Sequence, residues 1–490
     1  MNMKTSSRII RNTIYLYVKM SISLIISLYT ARVFLNVLGA SDYGLYILIA
    51  GVIFMFGFLQ DTLTRSSLRY LCYYKSQNDI IMQRKVFTIS FYLHMAISII
   101  IIINLLVLSN FLFSGFLNIQ ENRFEVAHIV FYCMVISFAF TVMTVPYDSV
   151  LNANENMLYY SIVGICESLM RLGLALYLPF VQCDKLVFYS VFMSSITIMM
   201  LIIKRIFCKW KYEECIISFS LYDRNLAKSM VCYAGWNFVT SITSLISFNS
   251  MPVLLNYFFG TLLNAAQGIA SQVNGVLGYF STNMQKALMP TINKSGELDV
   301  EKMFQFSKSG TKMSFLVSCF FAVPIIVECP YILDLWLVDV PEWTEIFCIM
   351  LIVQTVAEQL TTVYADCIYA NSNIKNYCII KGFLNILPVF FVYIVFRYGA
   401  PPYMFYVVIF FFWSLLGGGA ILFYNKRMYG MDLKKYFCKE FLPYTLLFVA
   451  LCIWGYILTL LYEPSFVRLI INTISISSLY KRIERDNEEA

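Results

Sequence analysis

Long apolar runs separated by short polar turns repeat along nearly the whole chain. A helix crossing the hydrocarbon of a bilayer needs roughly 20 mainly apolar residues. By that measure spans fall at 14–37, 43–64, 86–113, 124–147, 157–180 and 186–207. A second series follows at 230–257, 261–285, 311–333, 343–368, 377–398 and 402–424, with a thirteenth span at 441–462. The last run, Phe466 to Tyr480, makes a helix of only about 22 Å. The expected fold is an all-α polytopic membrane protein of 13–14 transmembrane helices. Two six-helix lobes, 1–213 and 214–425, would enclose a central cavity, and 426–490 would add a basic linker, helix 13 and a short hydrophobic tail. Lys4, Arg8 and Arg11 precede the first run as in a signal peptide, but the run is too long and lacks a small-residue cleavage site before Arg32.

Composition sharpens this by exclusion. Of 490 residues, 59% are hydrophobic and 13% charged, with a mean hydropathy of +0.70. A globular domain carries about 25% charged residues, so soluble enzymes, disordered regulators and secreted disulfide scaffolds are excluded. The fourteen cysteines include no C-x-x-C pair and are joined by only His94 and His128. No metal or cofactor is expected from that pattern. With a cytoplasmic N-terminus, alternation puts 29 Lys and Arg inside and four outside: Arg123, Lys185, Arg397 and Arg468. Cytoplasmic loops of membrane proteins carry such an excess. The net charge of +7 then reflects topology and contact with membrane lipid headgroups, and no nucleic-acid partner is expected. The basic 481–485 end favours a fourteenth crossing while the shortness of 466–480 opposes one, so a thin or partly inserted helix is expected. The loops are too short for a soluble catalytic domain, so any function lies within the membrane.

Two turns echo each other. At an offset of 217 residues, Tyr147, Ala153, Asn154, Asn156 and Tyr160 meet Tyr364, Ala370, Asn371, Asn373 and Tyr377. A weaker echo pairs Leu35, Asn36 and Gly39 with Leu255, Asn256 and Gly260. Six spans per copy give both halves the same orientation, which is a transporter-like arrangement.

Polar residues inside the spans are the candidates for function. In the eighth span Asn264, Gln267, Ser271, Asn274, Gly278, Ser281 and Gln285 recur every three or four residues and share one helical face. Unpaired amides in lipid cost several kcal/mol each, so this face lines either a wet cavity or a helix–helix seam. The similar stripe at Asn237, Thr240, Ser244 and Ser247 favours the cavity. Glu167 and Arg171 lie one turn apart in the fifth span, where mutual neutralisation and a direct substrate role both fit. Glu358, one turn after Gln354, has no cation near it in sequence, which favours a protonatable or cation-binding role. Arg32 reads as a snorkelling anchor or the rim of an anion site.

Arg32-x6-Gly39 followed by Asp42-Tyr43-Gly44 resembles the signature after the first span of polysaccharide flippases. Ala265 to Ala270 (AAQGIA), with Gln272-Val273-Asn274-Gly275 and then Asn283, Ala287 and Pro290, is similar to that family's eighth helix and the loop after it. Pro341 to Thr344 and Ala370 to Lys375 resemble its turns around the tenth helix. The resemblance is to the O-antigen and capsule flippases of the multidrug/oligosaccharidyl-lipid/polysaccharide exporter superfamily. It implies two lobes around a cationic cavity and alternating access, driven by a proton or sodium gradient or by the membrane potential. It also implies a polyprenyl-diphosphate oligosaccharide as cargo, polysaccharide assembly proteins as partners and the bacterial inner membrane as location. By motif, Arg32 and the eighth-span face carry over as cavity residues. Ser372, where a glycine is usual, and the short last helix depart from the pattern. The alternatives are a membrane-embedded O-antigen polymerase or glycosyltransferase, and a cation-coupled drug extruder of the same fold.

Overall fold

The computed structural model describes residues 3–473 and 475, apart from 55, 112, 114–122, 296–298, 338–339 and 372. The side chains of Arg32 and Asn264, the turn residue Ser372 and the tail beyond 475 therefore lie outside the described residues. Every described element is helical. Among the described residues, ten helices are long and apolar enough to cross a membrane. The chain divides into two compact units, 1–238 and 239–490.

The first unit holds α1 (Met3–Phe54), α2 (Gly57–Ser76), α3 (Ile80–Phe111), α4 (Phe124–Ala153), α5 (Met157–Tyr177) and α6 (Lys185–Lys211). Its boundary with the second falls inside α7 (Arg224–Phe259). α1 is really two helices, because Gly39 breaks it with φ 78° and ψ 168°. Only glycine enters that region without steric penalty, and this is the break expected between the first two spans. The second span differs from expectation at its far end. Helix resumes at Gly57 and continues to Ser76, well past residue 64. α1 packs on α5, and α4 packs on α6 and α3 around a core that includes Ile101, Leu105, Val130, Phe131 and Val142. Serines seal these contacts, for example Ser137 to Ser194 at 2.9 Å and Ser67 with Ser90 at 2.7 Å. Without a hydrophobic drive between helices in lipid, small residues and such bonds hold them together. Between helices, Arg123 pairs with both Asp42 and Asp184. Partial burial pushes the Asp184 carboxyl up, but the Val187 and Leu186 N–H groups and Arg123 hold it below its ordinary value.

The second unit continues with α8 (Thr261–Ser295), α9 (Val300–Val327), α10 (Cys329–Trp336), α11 (Thr344–Ala370) and α12 (Lys375–Arg397). Two further helices cover Met404–Tyr429 and Leu433–Leu461. Gly260, at φ 83°, divides α7 from α8 as Gly39 divides α1. α4 ends at Ala153 and α11 at Ala370, the alanines of the sequence echo. The expected ninth span differs: it starts earlier, capped by Asp299, and breaks at Glu328, where Pro330 opens α10. The thirteenth begins at Leu433, eight residues before its apolar run, because Asp432 caps it by accepting from the Lys434 and Lys435 N–H groups. Its first turns then anchor on α11: Tyr436 donates to the Leu360 carbonyl at 2.9 Å, and Glu440 accepts from Tyr364 at 2.7 Å. π-helical turns interrupt both late helices, at Phe410–Leu416 and Phe437–Phe441.

Candidate functional site

Each unit has its own polar centre. In the first, Arg171 donates to Glu167 at 2.6 Å, one turn back on α5, with both side chains partly exposed. Ser168, between them, bonds Ser23 of α1 at 3.0 Å. Lys19 of α1 sits 4.2 Å from the centre of the Tyr160 ring. Its stem fills the space left by Gly164, where any Cβ would overlap Lys19 Cε. Lys204 of α6 forms a largely buried pair with Asp148 of α4 at 2.8 Å and faces the same Tyr160 ring at 5.8 Å. Glu167 also attracts Lys204 electrostatically. Three cations, Lys19, Arg171 and Lys204, thus meet two carboxylates, Asp148 and Glu167. Both carboxylates are taken, and among the described residues Lys19 has a ring face but no carboxylate.

The second unit reverses that balance. Glu358 on α11 accepts from Gln354 at 3.0 Å and from Ser414 at 3.5 Å. Lys381 of α12 acts on it electrostatically without forming an ion pair. Gly417 makes this approach possible, and Gly418 lets the chain pass close to Thr361. A Cβ on Gly417 would stand 2.9 Å from Lys381 Nζ, and one on Gly418 would stand 3.3 Å from Thr361. A cavity of about 370 Å³ lies beside this point. Apart from Thr361, Ser414 and Thr445 its walls are apolar, with Phe315, Phe410 and Phe441 prominent.

The α8 stripe is seated against α11. Asn274 accepts from Thr355 at 2.7 Å. Ser281 donates to Gln359, which also takes the Ser314 hydroxyl of α9 at 2.7 Å. Gln267 is buried and bonds Ser271 at 3.4 Å within its own helix. The α7 stripe meets α12 in the same way, with Asn385 donating to Ser244 at 2.7 Å and to Thr243 at 3.4 Å. At Asn274, Ser281 and Ser244 the seam alternative describes the contacts, since each amide or hydroxyl finds its partner on a neighbouring helix.

No protein-family model and no curated protein matches the sequence. Solved structures do match. A MATE mutant superimposes with a TM-score of 0.74 at 14% identity, covering 85% of this chain and 97% of that one. A MOP superfamily transporter from Pyrococcus furiosus, described as having a binding pocket of reverse polarity, gives 0.72 at 13% identity, covering 86% and 96%. An outward-facing multidrug resistance MATE family transporter of the MOP superfamily gives 0.71 at 14%, covering 85% and 96%. The chain has the MATE fold. It is a multi-pass membrane protein, and at these identities the likeness extends to the fold alone.

Within this MATE fold, the sequence reading named Glu167, Arg171, Gln354 and Glu358, and the structure joins them as two local pairs. Sequence pattern singles out none of Lys19, Lys204 and Lys381. Asp148 drew no notice. The signal for Lys204 was present in its place directly after Leu201-Ile202-Ile203, a run that leaves the lysine on a continuing helix.

Proposed function

We propose that the protein is an alternating-access transporter that moves a polyprenyl-diphosphate-linked oligosaccharide across a bacterial inner membrane for surface polysaccharide assembly. Lys19 carries this reading. Lys19 lies inside the first span, toward its start, where withdrawing a charge from water costs free energy, while a cation–π contact returns about 0.5–2 kcal/mol. Among the described residues Lys19 meets the Tyr160 ring and no carboxylate, and a passing diphosphate would supply an anion for it. With Arg171 and Lys204 each neutralised by its carboxylate, Lys19 leaves the cluster with one net positive charge, and the sequence likeness to polysaccharide flippases agrees. The partly exposed Glu167–Arg171 pair stands beside this path, and the proton or sodium gradient is assigned to Glu358 as coupling carboxylate.

A second reading, a cation-coupled drug extruder, is favoured by the apolar cavity beside Glu358, which suits a lipophilic cation. Complementation separates the two. In a strain lacking its own polysaccharide flippase, the first reading predicts restored surface polymer and no change in drug tolerance. Raised drug tolerance without polymer supports the extruder instead.

A further inference from the structure

The break between α9 and α10 is held from an unexpected direction. Glu328 ends one helix and opens the next, and its carboxylate is fully buried. Arg468, in a helix that begins at residue 466, reaches it with Nε 2.9 Å from one carboxylate oxygen and 3.1 Å from the other, and Nη2 bonds the second oxygen as well. Asn472, one turn on, donates to Glu328 at 2.6 Å. The same guanidinium takes the Tyr462 carbonyl at 2.9 Å and the Thr459 carbonyl at 3.5 Å, at the end of the Leu433–Leu461 helix. That helix is itself pressed onto the break, since a Cβ on Gly455 would stand 2.9 Å from Val327.

We infer that the segment from Tyr462 to Thr473 is an intramolecular strap: Arg468 and Asn472 clamp Glu328 and fix the angle at which α10 leaves α9. Two independent contacts converge there, the guanidinium fork on the carboxylate and the glycine slot at Val327. A fork of this kind fixes orientation as well as charge. The hinge needs such a clamp because Pro330 denies the chain a continuous helical hydrogen-bond ladder across it. α10 in turn sets Cys329 and Leu333 against Phe347 and Cys348 of α11, so the strap governs how the end of the ninth span meets the start of α11. This holds whatever cargo the protein carries.

Hydrogen–deuterium exchange on the purified full-length protein tests the strap. Arg468→Met should speed exchange across 329–336 by about tenfold or more while α11 beyond its first turns stays as in the unaltered protein. That substitution also strands a buried carboxylate, so a stability effect must be separated from release. Glu328→Gln combined with Arg468→Met removes the stranded charge. The double variant should recover the thermal midpoint yet keep fast exchange at α10. Exchange at α10 returning to the original rate in the double variant overturns the strap. Should Arg468→Met not fold, Arg468→Lys keeps the charge and loses the fork. It should still speed α10, and unchanged exchange there also overturns the inference.

Discussion

The two units solve the same problem, charge at membrane depth, with opposite signs. In the first unit's polar centre Glu167 and Asp148 each have a cation, and among the described residues the third cation, Lys19, meets the face of Tyr160 and no carboxylate. In the second the carboxylate Glu358 is met by an amide and a hydroxyl, with Lys381 standing off. Glycine makes both arrangements possible, Gly164 for Lys19 and Gly417 for Lys381, since a side chain at either position would push the ammonium away. The contrast teaches that ionisable residues inside a span are not equivalent candidates. A pair such as Glu167 with Arg171 closes on itself, whereas an unmatched group keeps its capacity to bind something else.

The largest expected effect is at the unmatched cation. Lys19→Met should lower transport by about tenfold or more, since a desolvated charge-assisted bond to an anion is worth about 1.5–3 kcal/mol, while membrane abundance stays unchanged. Abundance falling in step with transport would make Lys19 structural. A smaller effect belongs to the closed pair. Arg171→Met alone strands Glu167, but Glu167→Gln together with Arg171→Met should restore transport to within about twofold, as expected for an exposed i,i+4 pair. Failure of that double variant to recover would give Arg171 a direct part in binding and erase its contrast with Lys19. The smallest effect lies in the α8–α11 seam. Gln359→Leu leaves the Ser281 and Ser314 hydroxyls without their acceptor, and should cost about 0.6–1.7 kcal/mol, read as a drop of a few degrees in the thermal midpoint with transport per folded molecule unchanged. Loss of transport at full stability would turn the seam back into a cavity wall.

The sequence made much of the fold legible, because span length and hydropathy are imposed by the bilayer itself. The breaks at Gly39 and Gly260 could also be read, since helix punctuation is local, whereas α4 runs on to Ala153, past the expected end at 147. Two features were missed: the break at Glu328, since a proline such as Pro330 inside a span need not end a helix, as Pro146 and Pro388 do not, and the early start at Leu433 inside a basic stretch. The sites follow the same rule. Glu167 with Arg171 and Gln354 with Glu358 are each four residues apart, so spacing exposed them. Asp148 with Lys204, Glu358 with Lys381 and Glu328 with Arg468 join different helices, and no periodicity announces such a meeting. The α8 stripe was visible as a stripe, but whether amides face water or another helix depends on the neighbour, here Thr355 and Gln359.

The central claim is that an anion crosses beside Lys19. Purified protein in liposomes, given a fluorescent polyprenyl-diphosphate oligosaccharide in one assay and a lipophilic cationic dye in another, tests it most directly. The account predicts movement of the anionic lipid, reduced about tenfold or more by Lys19→Met, and no transport of the dye. Equal rates for the anionic lipid with and without Lys19, or transport of the dye alone, would contradict it.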